Sequence, residues 1–309
     1  MILMVAVMNV MTPDLLEAER PYLFALAYRL LGSAADAEDV LQEAFLKART
    51  VDDIRSPRAL LTTIVTRLCL DEVRSARRRR EEYVGPWLPE PIATGEPGAD
   101  DRTIAAESMS MAFLVLLESL SPLERAVFVL REVLDLDFGE IAEAVGRSEA
   151  ACRQLLHRAR EHVAARPARF PVAPTAQRSL TAAFLTALGT GDLDGLMRLL
   201  TEDVAFTTDH GGKARANLRT VAGRDRVARL MAGLYDKSMK LGWAGVPTWL
   251  NGAPALLALE QGRVVSATVL ELVDGGDGPR VANVHTVRNP DKLAGLDQAL
   301  HAGRIALMA

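Results

Sequence analysis

The stretch Asp137–Arg160, DFGEIAEAVGRSEAACRQLLHRAR, decides how the first half of this 309-residue chain folds. Ser148 offers a hydroxyl to free backbone N–H groups, and Glu149 behind it suits the positive end of a helix dipole, so a helix starts there. Upstream, Ile141, Ala142 and Val145 recur at helical spacing and Gly146 supplies the stop. Two short helices with a glycine break read as a helix-turn-helix or as a plain helical hairpin, and the pattern alone leaves both open. In the second helix Cys152, Leu155, Leu156, Ala159 and Val163 form an apolar stripe. Glu149, Arg153, His157 and Arg160 project from the opposite side.

Composition bounds the rest. With 49% hydrophobic and 25% charged residues the chain has ordinary globular usage and room for two or three cores. A net charge of −4 gives no global field for nucleic acid. Locally the balance reverses: between Gly146 and Phe170 stand Arg147, Arg153, Arg158, Arg160, Arg166 and Arg169 against Glu149 and Glu161. Cys69 and Cys152 give neither metal-ligand spacing nor a disulfide framework, as in a reducing cytoplasm, and no metal or cofactor is expected. Residues 1–13 read as a frayed leader, too short for a membrane span and without a basic n-region or cleavage site. Met4, Met8 and Met11 allow a translation start further in.

Outward from that stretch, Asp14 to Thr50 reads as two helices broken at Gly32-Ser33. In DAEDVLQEAFLKA (36–48), Val40, Leu41, Ala44, Phe45 and Ala48 make the buried side, and Asp36, Asp39, Gln42 and Glu43 gather on the other. Pro57 opens a third helix, Arg58 to Arg80, ending in Arg74 and the run Arg77, Arg78, Arg79 and Arg80. Four adjacent arginines need an anionic partner or open water.

AYRLLGSAADAEDVLQEAFLKA (27–48) followed by SPRALLTTIVTRLCLDEVRSARRRR (56–80) resembles the second conserved region of an extracytoplasmic-function sigma factor of bacterial RNA polymerase, and the helix-turn-helix resembles the fourth region. The resemblance implies as partners the RNA polymerase core enzyme and promoter DNA, with no membrane. Asp36, Asp39, Gln42, Glu43 and Phe45 then become core-polymerase contacts. Arg74 and Arg77 to Arg80 become contacts to the minus-ten element, and Arg147, Ser148, Arg153, Gln154, His157, Arg158 and Arg160 face the minus-thirty-five element. The implied architecture is two all-α modules, residues 14–82 and 104–166, the second with the helix-turn-helix. Arginine–phosphate contacts supply salt-dependent affinity and base edges supply sequence, and coupling two weak modules raises the effective concentration of each.

Residues 83–103 form a Pro-rich linker in which GPWLPEP (85–91) presents Trp87, Leu88 and Pro89 as an extended segment. Such a Trp either anchors in a groove or merely rests on a neighbouring domain. PARFPVAP (167–174) is a second joint, and composition changes after it. Thr181 to Leu188 and Asp192 to Leu200 read as helices, then come a short run at Val204, a helix near Asp225 to Tyr235, and strands Pro254–Glu260, Arg263–Val273 and Arg280–Arg288. Gln261-Gly262 is a hairpin signal. Helices followed by an antiparallel meander give an α+β domain over 175–288 with a tail over 289–309. Its order resembles a SnoaL-like cone enclosing a pocket, with room for a small-molecule ligand.

Asp209, His210 and His285 are the obvious acid–base candidates of that domain. The sigma-factor subgroup with a SnoaL-like extension carries a DGGGK loop and an NPDKL tail. Here they stand as Asp209-His210-Gly211-Gly212-Lys213 and Asn289-Pro290-Asp291-Lys292-Leu293, with His210 replacing a glycine. Two classes of function follow: an initiation factor regulated in cis by its fused domain, with no catalytic residues, and a DNA-tethered enzyme with isomerase or cyclase chemistry. A dimeric repressor would leave the acidic face and the arginine helix without partners.

Overall fold

In the structure, a computed structural model, residues 12–51, 56–81, 83–95, 109–164, 172–274 and 278–308 are described, with the side chains of 75–81 and of Pro174 left out. Most of the expected leader, the second half of the linker and most of the second joint lie outside them. The chain divides into two compact units, Met1–Arg79 with Leu116–Arg166 and Arg80–Val115 with Pro167–Ala309.

The first unit is all helical among its described residues. Helix α1 (Pro13–Leu31) opens on Thr12, whose hydroxyl accepts from the Leu15 N–H, and closes on Gly32 in the left-handed region. Ser33 at once caps α2 (Ala34–Ala48) by accepting from the Asp36 N–H. A stop and a start in adjacent residues make the expected break. Leu23, Leu26 and Leu41, and Leu61 and Val65 of α3 (Pro57–Glu81), are all out of water.

The second helical group comprises α4 (Met111–Leu117), α5 (Pro122–Phe128), a π-helical segment Val129–Val133, α6 (Phe138–Val145) and α7 (Glu149–Ala164). The boundary between the units falls inside α4. Ser121 and Glu124 form a reciprocal capping box, as do Asp137 and Glu140. Gly146 ends α6 with φ +65, and Ser148 accepts from the Ala151 N–H at the start of α7. The π-helical turn carries no sequence signal that distinguishes it from α-helix.

Two arginines join these groups within the first unit. Arg125, 3% exposed, donates from Nη1 to the Leu30 carbonyl at 2.9 Å and to Glu118 at 2.7 Å. Arg67 donates from Nη2 to the Glu143 carbonyl at 2.7 Å. Both carbonyls belong to the last turn of a helix, where no intrahelical N–H reaches them.

The second unit is α+β. Helices α8 (Pro174–Thr190) and α9 (Leu193–Leu199) lead into β1 (Leu200–Asp209) and the two-residue β2 (Val221–Ala222). Then follow α10 (Arg224–Lys240), β3 (Ala244–Leu250), β4 (Ala253–Glu260), β5 (Arg263–Asp274), β6 (Pro279–Val287) and α11 (Pro290–His301). The sheet order is β2-β1-β6-β5-β4-β3. β3 to β6 form the antiparallel meander, but β1 pairs with β6 in parallel, so the sheet is mixed. A parallel neighbour needs a long crossover, and the 69 residues between Asp209 and Pro279 provide it.

Strand β3 contains Gly245 and Pro247, which hide it from propensity, and it lies at a sheet edge, where proline costs no ladder bond. Asn251 and Gly252 (φ +53 and +69) turn it into β4, and Gln261 and Gly262 (φ +52 and +82) make the expected turn from β4 to β5. Alternation along the strands divides the core in two. Leu270 and Val284 pack with Phe184 of α8 and Val227 of α10, whereas Val269 and Val287 pack with Leu293 and Leu296 of α11 and with Leu88 and Met111 of the segment 80–115. The proline-rich linker is thus part of this unit's second core.

Candidate functional site

On α7, Arg153, Gln154, His157, Arg158 and Arg160 are all exposed, as are Arg147 and Ser148 before it, while Cys152, Leu155, Leu156 and Ala159 are buried. The cations rest against carboxylates: Arg153 on Glu149 at 2.7 Å, Arg160 on Glu132 at 2.7 Å, Arg158 on Glu124 at 3.4 Å. The Arg153 guanidinium also lies 4.7 Å from the Phe138 ring centre. The solvated Arg153 and Arg160 pairs contribute about 0–1 kcal/mol each, so those guanidinium groups can turn toward a phosphate or a base edge at small cost, whereas the Glu124 carboxylate beside Arg158 is buried. The exposed cationic face is the arrangement that favours a helix-turn-helix over a bare hairpin.

On α2, Asp39, Gln42 and Glu43 are exposed and Asp36 and Phe45 half-buried. Phe45, expected on the buried side, lies at its margin, and Leu46 beside it is 66% exposed. This exposed leucine is a residue the periodicity misses, since position 46 reads only as the end of an apolar run. On α3, Arg74 is exposed and pairs with Asp71 at 3.0 Å. Arg77 to Arg80 continue the helix, and their side chains lie outside the described residues.

In the second unit, the motif residues converge on one buried carboxylate. Asp209, fully buried at the end of β1, accepts from Lys292 Nζ at 2.6 Å, from the Leu88 N–H at 2.8 Å and from the Tyr83 hydroxyl. Lys292 also donates to the Leu88 carbonyl at 2.5 Å, and its Nζ sits 3.9 Å from the Trp87 ring centre. Asn289 donates to the Tyr83 oxygen at 2.9 Å and caps α11 through the Asp291 N–H. Pro290 takes the first helical position, Leu293 is buried on the second core, and Lys213 pairs with Asp291. Burial, and then the hydrogen bond to Asp209, push the Tyr83 phenol above its ordinary range.

The linker is held at several further points. Asn251 pairs both backbone and side chain with Ile92 and donates to the Met109 carbonyl at 2.9 Å, and Gly252 donates to Thr94. Leu88, not Trp87, is the deep anchor: Leu88 is 2% exposed and Pro89 is buried with it, while Trp87 is half-buried. Gly211 and Gly212 adopt φ +54 and +73, and a Cβ on Gly211 would meet Asn289 at 2.6 Å. His210 is absent from the positive-φ residues, so the backbone there does not require the glycine it replaces. Its ring is buried against Gly85.

The other face of the sheet, with α8 and α10, encloses a cavity of about 780 Å³. Asp209, His210 and His285 do not line it. Strand alternation explains this: Thr208 and Thr286 point into the cavity, which sends their neighbours Asp209 and His285 to the opposite face. There His285 Nε2 lies 3.2 Å from Glu271. The acid–base candidates therefore serve the second core, not the pocket.

Comparison with known proteins agrees with this anatomy. The model of Sigma-70 region 2 matches residues 15–79, and that of Sigma-70, region 4, matches residues 110–163. The ECF RNA polymerase sigma factor SigJ of Mycobacterium tuberculosis is 42% identical over 288 residues, covering 90% of this chain and 92% of its own. The chain belongs to the ECF RNA polymerase sigma factor family. The probable ECF sigma factor SigI of the same species is 33% identical over 290 residues, covering 93% and 96% of the two chains. The crystal structure of SigJ superposes with a TM-score of 0.74 at 37% identity, covering 92% of this chain and 99% of that one. Similarity to whole ECF sigma factors extends through the α+β unit. Among the described residues no helix is long and apolar enough to cross a membrane.

Proposed function

We propose that this ECF sigma factor directs core RNA polymerase, in the cytoplasm, to promoters with two separated recognition elements, and that its α+β unit regulates initiation through the linker. In this reading Asp36, Asp39, Gln42, Glu43 and Phe45, with exposed Leu46 added, contact the core enzyme. Arg74 and Arg77 to Arg80 contact the minus-ten element, and the exposed face of α7 with Arg147 and Ser148 contacts the minus-thirty-five element. The observation that carries the regulatory part is the convergence of linker, loop and tail on Asp209.

Residues 80–109 connect the two sigma regions, and an extended chain covers about 3.3–3.6 Å per residue. A linker fixed at Tyr83, Leu88, Ile92 and Thr94, and again at Met109, gives up most of that reach. Releasing it lengthens the tether between the modules. The cavity belongs to the same proposal as a small-molecule pocket, whereas the enzyme reading loses its acid–base groups to the opposite face.

Co-purification with core polymerase and run-off transcription from a cognate promoter test the first part. Failure of the chain to join the core enzyme sinks it. For the second part, deletion of 293–309 and then of 171–309 is expected to change transcript yield. Unchanged yield from both truncations removes the regulatory role.

A further inference from the structure

The cavity between the sheet, α8 and α10 has an unusual charge inventory. Its described lining is mainly apolar, with Phe184, Leu188, Met231 and Leu270 among the side chains, and holds no Asp, Glu or His. It does hold four cations: Lys213, Arg215, Lys237 and Arg288. Three of them are exposed, and Lys213 is paired with Asp291. Arg288 is half-buried, just past the end of β6.

The surroundings of Arg288 define what would fit. Its Nη1 donates to the Arg215 carbonyl at 2.7 Å, its guanidinium lies 5.1 Å from the Trp243 ring centre, and its Nε is out of water with no hydrogen-bond partner among the described residues. Burial draws its pKa down, partly opposed by Glu260, which accepts from the Trp243 indole at 2.9 Å and does not line the cavity. Nη1 is therefore committed, while Nε is a buried donor without an acceptor. The Nε edge of a guanidinium matches the two oxygens of a carboxylate.

We propose that the cavity binds an amphipathic monocarboxylate, its apolar body among Phe184, Leu188 and Leu270 and its carboxylate on the Nε edge of Arg288. The volume of about 780 Å³ lies within the range of about 300–1,000 Å³ typical of pockets that enclose a small organic ligand. Exposed Leu234 and Leu241 line the cavity as well and give an apolar approach. The proposal rests on the reading of the cavity as a ligand pocket. Its test reads binding, not transcription, so failure to bind and failure to regulate are separate results.

The full chain is titrated calorimetrically with two acids of different shape, dodecanoate and 1-pyrenebutyrate. Their uncharged counterparts, dodecanol and 1-pyrenebutanol, serve as controls, all below their aggregation concentrations. At least one acid is expected to bind saturably with one-to-one stoichiometry and at least tenfold more tightly than its alcohol. Arg288→Met should remove that preference while leaving alcohol binding in place, and Arg288→Lys should restore part of it. The wild-type comparison stands even where a variant does not fold. Equal binding of acid and alcohol, or saturable binding of neither acid, overturns the proposal.

Discussion

On α7, Arg153 and Arg160 stand in water beside carboxylates they can release, whereas in the second unit Lys292 and Asp209 face each other nearly out of water, with the Tyr83 hydroxyl and the Leu88 N–H completing the contact. The side chains of the first pairs are half or more exposed on the arginine side; those of the second are 12% and 0% exposed. Exposure decides the magnitude. A solvated pair contributes about 0–1 kcal/mol, and removing one partner of a buried pair costs about 3–5 kcal/mol because the other charge stays desolvated. Charge on α7 is therefore available for exchange with a partner, and charge around Asp209 fixes a chain segment in place.

The largest test of that contrast is Lys292→Met, expected to lower the unfolding free energy of the second unit by about 3–5 kcal/mol in urea titration. Adding Asp209→Asn should recover much of the loss, since the uncompensated charge disappears. A loss under about 1 kcal/mol for the single variant breaks the contrast, because it places the pair with exposed ones.

Arg153→Ala should act the other way, leaving urea unfolding within about 0.5 kcal/mol of wild type. It should lower affinity for a minus-thirty-five duplex by about 1–3 kcal/mol, read by fluorescence anisotropy. Unchanged affinity and unchanged sequence preference contradict its assignment to a base.

The smallest effect sharpens the buried side. Tyr83→Phe removes the hydrogen bond to Asp209 and the one accepted from Asn289 and is expected to cost about 1–2 kcal/mol. Because the folded phenol titrates above its ordinary value of 10.0, the unfolded chain loses this proton first as pH rises, so the contribution is full below pH 10 and is lost above it. Stability of wild type should fall more steeply than that of Tyr83→Phe above pH 10. Parallel profiles would remove Tyr83 from the cluster.

What was legible in the sequence was local. The stop at Gly146 and the start at Ser148 lie two residues apart, and each reports on backbone groups within one turn, so the two helices could be read with their faces. Gln261-Gly262 worked for the same reason. Asn251-Gly252 carries an equal signal, masked because Gly245 and Pro247 make the preceding run look unlike a strand. Non-local pairing left no such trace. The parallel contact of β1 with β6, and that of Lys292 with Asp209 across 83 residues, follow from the folded sheet and not from any window of sequence. The DHGGK and NPDKL segments read as motifs in the sequence, yet their meeting at one carboxylate, with Tyr83 from the linker, is a property of the folded chain alone.

The most direct test of the coupling between linker and initiation is run-off transcription by the full chain and by the Asp209→Asn/Lys292→Met double variant on the same cognate promoter, at matched occupancy of core polymerase. A change in transcript yield of at least threefold is expected for the double variant with core affinity unaltered, on the order of 0.6 kcal/mol at the level of initiation. Identical yields from the two proteins would contradict the coupling.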